Sequence, residues 1–557
     1  MTNIRQPSSE FSYQSPLPKH QHEPHHLSSK YQDVPEHAEA DEEPDLSPSN
    51  IAKYFYTRIT TLFEIKLANL KDLNPINDLH GMTLNNWNYF FLGMLAWLSA
   101  AFDFFCTSVA GTEIAKSLGV DTHAITWGLS AVLMVRSAGA IIFGLWTDNY
   151  SRKWPFIFCC GMFVALQVGT GFVSTYEQFL ACRGLSGVCM GGIYGAAAAT
   201  SLDDSPVKAR SILSGLFFTA YSMGLIFATV FWRAFQNTKH SWRALFWFSA
   251  SMPALLIVWR LFFPETKYFI NCQKARELIK QDQIKAGVYV KPTIKSKITN
   301  FGSLLRKNWL MFSYMIVLMA GPNYVTHSSQ DLLPTMLKQQ LGYSNNALTV
   351  ALVVSQLGSC VGSFSIGILM EILGRRVSIM LCCILGACFV YPAWMLQSSP
   401  AILGAGFALF FALQGMWGVV PAHLSELSPP DARALFSGLS YQLGNLASAA
   451  ASTIETNISN EFPLETDSNG TVTKSNYAKV MTIMTGASLC YTFIMTLLGP
   501  EKFHRDLSTP LMKKYLEKVK QQEQDKEAGF TNVEELGMES DKDEVFQAKP
   551  NASHLEK

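Results

Sequence analysis

Apolar stretches recur from Trp87 onward, separated by short polar segments. Each is about 20 residues long, which as helix spans the roughly 30 Å hydrocarbon core of a bilayer. They fall at about 87–110, 123–146, 154–174, 177–200, 209–235, 243–263, 309–333, 346–370, 377–397, 400–424, 434–455 and 477–498. The pattern predicts an all-α membrane protein of twelve transmembrane helices in two six-helix halves. Residues 1–84 read as an N-terminal tail, largely disordered, and 85–263 as the first half. Residues 264–308 form a basic connector, 309–499 the second half and 500–557 a polar C-terminal tail.

The halves are related in sequence. Gly144-Leu-Trp-Thr-Asp148-Asn-Tyr-Ser-Arg152-Lys153 reappears as Gly367-Ile-Leu-Met-Glu371-Ile-Leu-Gly-Arg375-Arg376, an offset of 223 (144 to 367). Ser205-Pro206 through Ser214-Gly215 reappears as Ser428-Pro429 through Ser437-Gly438 at the same spacing. One offset shared by two separated motifs means a parallel internal repeat, the plan of a transporter that rocks about a central site. Asp148, Arg152, Lys153, Glu371, Arg375 and Arg376 sit in the loops between the second and third helix of each half. They are candidates for a cytosolic gate that pairs when the halves close inside.

Charge sets an orientation. Lys and Arg gather at 152–153, 208–210, 267–307, 375–376, 433 and beyond 502. The positive-inside rule puts these loops and both termini in the cytosol. The outer loop near 456–476 then holds two glycosylation sequons, at Asn457 and Asn469. No cleavable leader is expected, because the first 50 residues lack an apolar core. Ten of the eleven cysteines fall in predicted spans and read as apolar packers rather than a disulfide framework. His20, His22, His25 and His26 belong to a solvated low-complexity tail, so no metal is expected. Charged residues make up 16% and the net charge is +1, which argues against a nucleic-acid partner.

Ionisable groups inside a membrane are costly and mark function. Arg136 lies roughly 14 Å of helix from either end of the second span. Its planar fork suits a carboxylate; an internal pair with Asp103 of the first span is the alternative. In the seventh span, Asn323, His327, Gln330 and Asp331 line one helical face at i, i+4, i+7 and i+8. Pro322 and Pro334 predict a kink or break there.

The loop repeat resembles the signature of the major facilitator superfamily, with Glu371 in place of its usual Asp. Asn323-x-x-Thr326-His327-x-Ser329-Gln330-Asp331-x-x-x-Thr335 is identified as the signature of the Jen family of fungal carboxylate–proton symporters, matched at every fixed position. That resemblance implies substrate-site roles for the seventh-span polar residues and for Arg136. It also implies specificity roles for Phe218, Gln442 and Asn445. Pro264-Glu265-Thr266 resembles the sugar-porter branch.

These readings predict electroneutral entry of a short monocarboxylate (lactate, pyruvate or acetate) with a proton, by alternating access at the plasma membrane. Arg136 would hold the carboxylate, while Asn323, Gln330 and Gln442 orient its other oxygens. His327 is the first candidate for the proton, since imidazole titrates near working pH; Asp331 and Asp103 are the others. Dicarboxylates are the alternative substrates, with a sugar porter or a non-transporting sensor behind them. No enzymatic activity and no cofactor are expected. Lys513, Lys514, Lys518 and Lys520 are candidate ubiquitin acceptors.

Overall fold

A computed structural model describes residues 47–62, 79–202, 204–206, 209–287, 302–396, 398–429, 433–466, 472–503 and 510–527. The first six spans are Leu84–Leu118, Thr122–Asn149, Lys153–Thr170, Tyr176–Leu202, Arg210–Phe235, and a sixth divided into Trp242–Ser249 and Ser251–Phe262. The seventh begins as Trp309–Gln330, breaks at Asp331–Leu332, and resumes as Leu333–Thr335 and a π-helical turn, Met336–Gln340. The eighth to tenth are Asn345–Leu373, Arg375–Met395 and Ser399–Leu427. The eleventh is divided into Arg433–Ser448 and Ala451–Asn460, and Tyr477–Leu498 is the twelfth. A two-stranded antiparallel hairpin, β1 (Pro463–Thr466) and β2 (Val472–Ser475), joins the last two spans.

Among the described residues, ten helices are long and apolar enough to cross a membrane. The seventh and eleventh spans are not among them, for a physical reason. The seventh carries the polar stripe, and the eleventh is cut at Ala449–Ala450, so neither holds an unbroken apolar window. Both are spans to which sequence assigns site residues.

Local chemistry fixes several ends. Thr83 Oγ1 accepts from the Asn86 N–H at 3.2 Å and starts the first span. Gly119 ends it at φ 68°, where a side chain would be strained. Ser344 and Asn476 cap the eighth and twelfth spans in the same way.

The repeat is visible in the packing. A Cβ on Gly139 would lie 1.9 Å from the carbonyl oxygen of Val188, and one on Gly362 would lie 2.0 Å from that of Phe411. Both glycines and both carbonyls are 223 positions apart in sequence. Glycine thus lets the second span touch the fourth, and the eighth touch the tenth, backbone to backbone. One apolar cluster fills the first half and reaches across to Met315, Met319, Trp417 and Tyr441 of the second, and another lies within the second half.

Loops 150–152, 263–266, 374 and 499–503 lie on the basic face of the bundle. There the halves meet through the fifth, eighth and tenth spans. Ser214 Oγ donates to the Gly418 carbonyl at 3.0 Å, and Ser363 Oγ to the Gly215 carbonyl at 2.7 Å. The N-terminal helix Pro48–Thr60 packs on the same face, where Tyr54 Oη donates to the Leu498 carbonyl at 3.0 Å. A connector helix, Lys267–Lys285, packs against a C-terminal helix, Pro510–Glu527. All eleven cysteines are free.

Candidate functional site

Arg136 is 1% exposed and points into the interface between the halves. Its Nη1 donates to Asn445 Oδ1 of the eleventh span at 3.5 Å, and its Nη2 reaches Met190 Sδ. The guanidinium carbon lies 5.1 Å from the centroid of Phe104. Among the described residues no ion pair involves Arg136, and its Nε has no hydrogen-bond partner. A buried guanidinium that faces an amide, a thioether and a ring, with no carboxylate, has unused donor capacity.

Phe104 connects this cation to the seventh span. The His327 ring meets the same Phe104 ring edge-on, centroid to centroid 6.5 Å. His327 Nδ1 and Asp331 Oδ2 are 3.0 Å apart, one helical turn along the same face. Asn323 is buried and donates back to the Met319 carbonyl at 2.8 Å. The Gln330 Oε1 and Gln442 Nε2 atoms are buried without partners, while Gln442 Oε1 accepts from Asn445 Nδ2 at 3.4 Å. The structure therefore brings Arg136, Asn445 and Gln442 into one group and His327 and Asp331 into another, with the Phe104 ring in reach of both Arg136 and His327.

Towards the basic face an aromatic layer lies across both halves. Phe218 stacks on Trp417 at 5.5 Å, and Tyr194 stacks on Tyr441 at 4.4 Å. Trp417 Nε1 donates to Thr326 Oγ1 at 2.6 Å, which ties the layer to the seventh span. Towards the opposite face a cavity of about 430 Å³ is lined by residues that include Thr107, Leu129, Arg233, Asp331, Lys338 and Ser452. Arg233 Nη2 reaches across from the fifth span to Asn346 Oδ1 of the eighth at 2.8 Å. Asp331 lines this cavity; Arg136 does not.

A family model described as "Sugar (and other) transporter" matches residues 73–507. The chain belongs to the major facilitator superfamily. It is 53% identical over 501 residues to the carboxylic acid transporter protein homolog of Saccharomyces cerevisiae, covering 89% of this chain and 81% of that relative. That likeness bears out the place in the Jen family read from the seventh-span motif. The sialic acid transporter NanX of Escherichia coli is 24% identical over 381 residues, covering 67% of this chain and 87% of the relative. Among solved structures, the proton:xylose symporter XylE aligns with a TM-score of 0.58 at 13% identity, over 78% of this chain and 99% of that one. At that identity the likeness concerns the fold alone.

In this Jen-type facilitator Asp103 pairs with Arg183 of the fourth span rather than with Arg136. Arg183 Nη1 and Nη2 donate to the two Asp103 oxygens at 3.0 and 2.8 Å, with both side chains fully buried. Sequence reasoning missed Arg183, although the rule that singled out Arg136, a cation inside an apolar span, applies equally to it. Arg136 is thus not the lone buried cation, but it is the one of these two without a carboxylate.

The gate candidates divide. Arg375 binds Glu426 at 2.9 Å and Glu371 at 3.1 Å, both in its own half. Contact between the halves runs through Ser211 of the fifth span, whose Oγ donates to Glu371. Arg376 holds the N-terminal helix, donating to Thr61 Oγ1 at 3.2 Å and to the Arg58 carbonyl at 3.1 Å. Arg152 and Lys153 instead present backbone N–H groups to Glu265 Oε2 at 3.0 and 3.2 Å. Glu501 does the same for Arg375 and Arg376, at 2.6 and 3.2 Å. The Asp148 side chain and Asn469 lie outside the described residues, as do the tail histidines. Asn457 is exposed, on the helical outer part of the eleventh span.

Proposed function

We propose that this protein carries short monocarboxylates together with a proton across the plasma membrane by alternating access. The supporting observation is Arg136: a fully buried guanidinium at the interface of the halves, with an unpartnered Nε and no carboxylate of its own. A carboxylate substrate would neutralise it through two charge-assisted hydrogen bonds. Asn445 and Gln442, hydrogen-bonded beside it, would take a hydroxyl or keto oxygen. The name of the yeast relative supports the same substrate class.

One unneutralised cation favours one carboxylate. Arg183 is already satisfied by Asp103, so a second acid group would find no free guanidinium at this pair. Phe218 and Trp417 add bulk on the basic side of the site and favour a short chain. The basic face is read as cytosolic, with both termini there. In that orientation the halves are closed inside, and the cavity beside Asp331 faces outwards.

Uptake of labelled lactate into vesicles tests this reading. Acid outside is expected to drive accumulation, with lactate, pyruvate and acetate competing at lower concentrations than succinate or xylose. Strong block by succinate at low concentration would overturn the substrate order. Saturable binding without entry would indicate a sensor.

A further inference from the structure

Glu455 lies in the outer part of the eleventh span and is fully buried. Neither of its carboxyl oxygens has a hydrogen-bond partner. It lies behind the outer cavity, one helical turn beyond Ser452, which lines that cavity. The groups acting on it from the seventh span are Asp331, which itself lines the cavity, and Tyr324. Tyr324 and Asp331 are seven residues apart and share one helical face with His327, and the outer part of the eleventh span, which carries Glu455, packs against this seventh span. From the twelfth span and the hairpin no cation reaches it among the described residues. The Lys479 ammonium is turned over the Phe462 ring at 4.0 Å.

An ionised carboxylate in this setting has lost its water and gained nothing, while facing a like charge. The neutral acid is the form that packs as seen. We propose that Glu455 is the outer proton-loading residue of this transporter, resting on the symport reading above. External water protonates the Glu455 carboxylate. Only then does the outer part of the eleventh span pack against Asp331 and Tyr324. On the inward step the O–H bond breaks, and the proton passes by way of Asp331 and His327, which lies one turn deeper, to water on the cytosolic side. At each transfer the donor's O–H or N–H bond breaks as the acceptor's forms, so the net change is one proton moved from external hydronium to water on the cytosolic side. Carboxylate binding at Arg136 and protonation of Glu455 then favour the same closed state, which is the coupling symport requires.

Two measurements on the full-length protein test this. In proteoliposomes, wild type is expected to show acid-driven lactate accumulation with matching proton entry; its absence would defeat the symport reading itself. Glu455→Gln is expected to keep lactate counterflow at equal pH within about twofold while losing pH-driven accumulation. Retained accumulation with an unchanged pH profile would overturn the Glu455 assignment and leave symport standing. The second measurement does not need transport. The infrared spectrum of purified wild type near neutral pH is expected to show a buried protonated carboxyl band that Glu455→Gln lacks and Asp331→Asn keeps. Its persistence in Glu455→Gln would also overturn the proposal.

Discussion

Arg183 and Asp103 form two parallel hydrogen bonds, 3.0 and 2.8 Å long, with both side chains sealed from solvent. The pair ties the fourth span to the first and leaves Arg136 as the buried cation beside the interface with no such partner. Removing one member of a buried pair strands the other, at about 3–5 kcal/mol. Asp103→Asn and Arg183→Met are each expected to lower the melting temperature and yield in detergent. The double change Asp103→Leu with Arg183→Met is expected to recover most of the loss. A double variant as unstable as the sum of the singles would contradict a pairwise origin.

Backbone contact at Gly139 and Gly362 leaves no room for a methyl group. Alanine at either position must push two spans apart, at a cost of about 1–3 kcal/mol or more. Because the two sites are related by the internal repeat, the two losses are expected to be similar. Thermal unfolding of both variants checks this, and a wild-type melting point for either would show that these helices do not touch.

Ser211 bonding Glu371 is one of the contacts that join the halves at the basic face, beside Ser214–Gly418 and Ser363–Gly215. A hydrogen bond to a charged group contributes about 1.5–3 kcal/mol, roughly tenfold or more in a two-state population. Ser211→Ala is expected to expose the buried Ser214, read as faster labelling of Ser214→Cys by an impermeant thiol reagent. The background would lack Cys388 and Cys490, the two exposed cysteines. An unchanged labelling rate would remove this contact from the gate.

Glu501 follows the last span and accepts the first N–H groups of the ninth. Burial pushes its carboxyl above the usual range, against the opposing pull of those N–H groups and the neighbouring arginines. The folded state therefore holds the proton more tightly than the unfolded state. This contribution to stability is complete below the unfolded value, about 4.3, and fades as pH rises through the folded one. Glu501→Gln is expected to flatten that part of the profile of melting temperature against pH. Glu501→Ala is expected to lose the cap as well, about 1 kcal/mol. Parallel profiles for wild type and Glu501→Gln would contradict the assignment.

Much of the fold was legible because the repeat is written in short motifs of charge and glycine that survive at one offset. The seventh-span stripe was legible because four polar residues on one face of an apolar helix have no bland explanation. What escaped depends on three-dimensional proximity. Nothing near Arg183 in sequence announces a partner eighty positions away (103 and 183). Glu455 stood at the edge between a predicted span and its loop, where a carboxyl draws no notice; the helix continues to Asn460 and buries it. Pro264-Glu265 and Pro500-Glu501 perform one capping task in the two halves. Their spacing is 236 rather than 223 (265 to 501), so the offset that revealed the other motifs concealed this pair.

The central claim is that the Arg136 fork binds the carboxylate of the transported acid. Arg136→Lys keeps the charge but loses the paired donors. The direct measurement is the concentration dependence of lactate counterflow at equal pH on both sides, for wild type and Arg136→Lys at matched surface expression. Roughly tenfold weaker half-saturation or more is expected, since about 1.5 kcal/mol or more of charge-assisted bonding is lost. Half-saturation unchanged from wild type would contradict the claim.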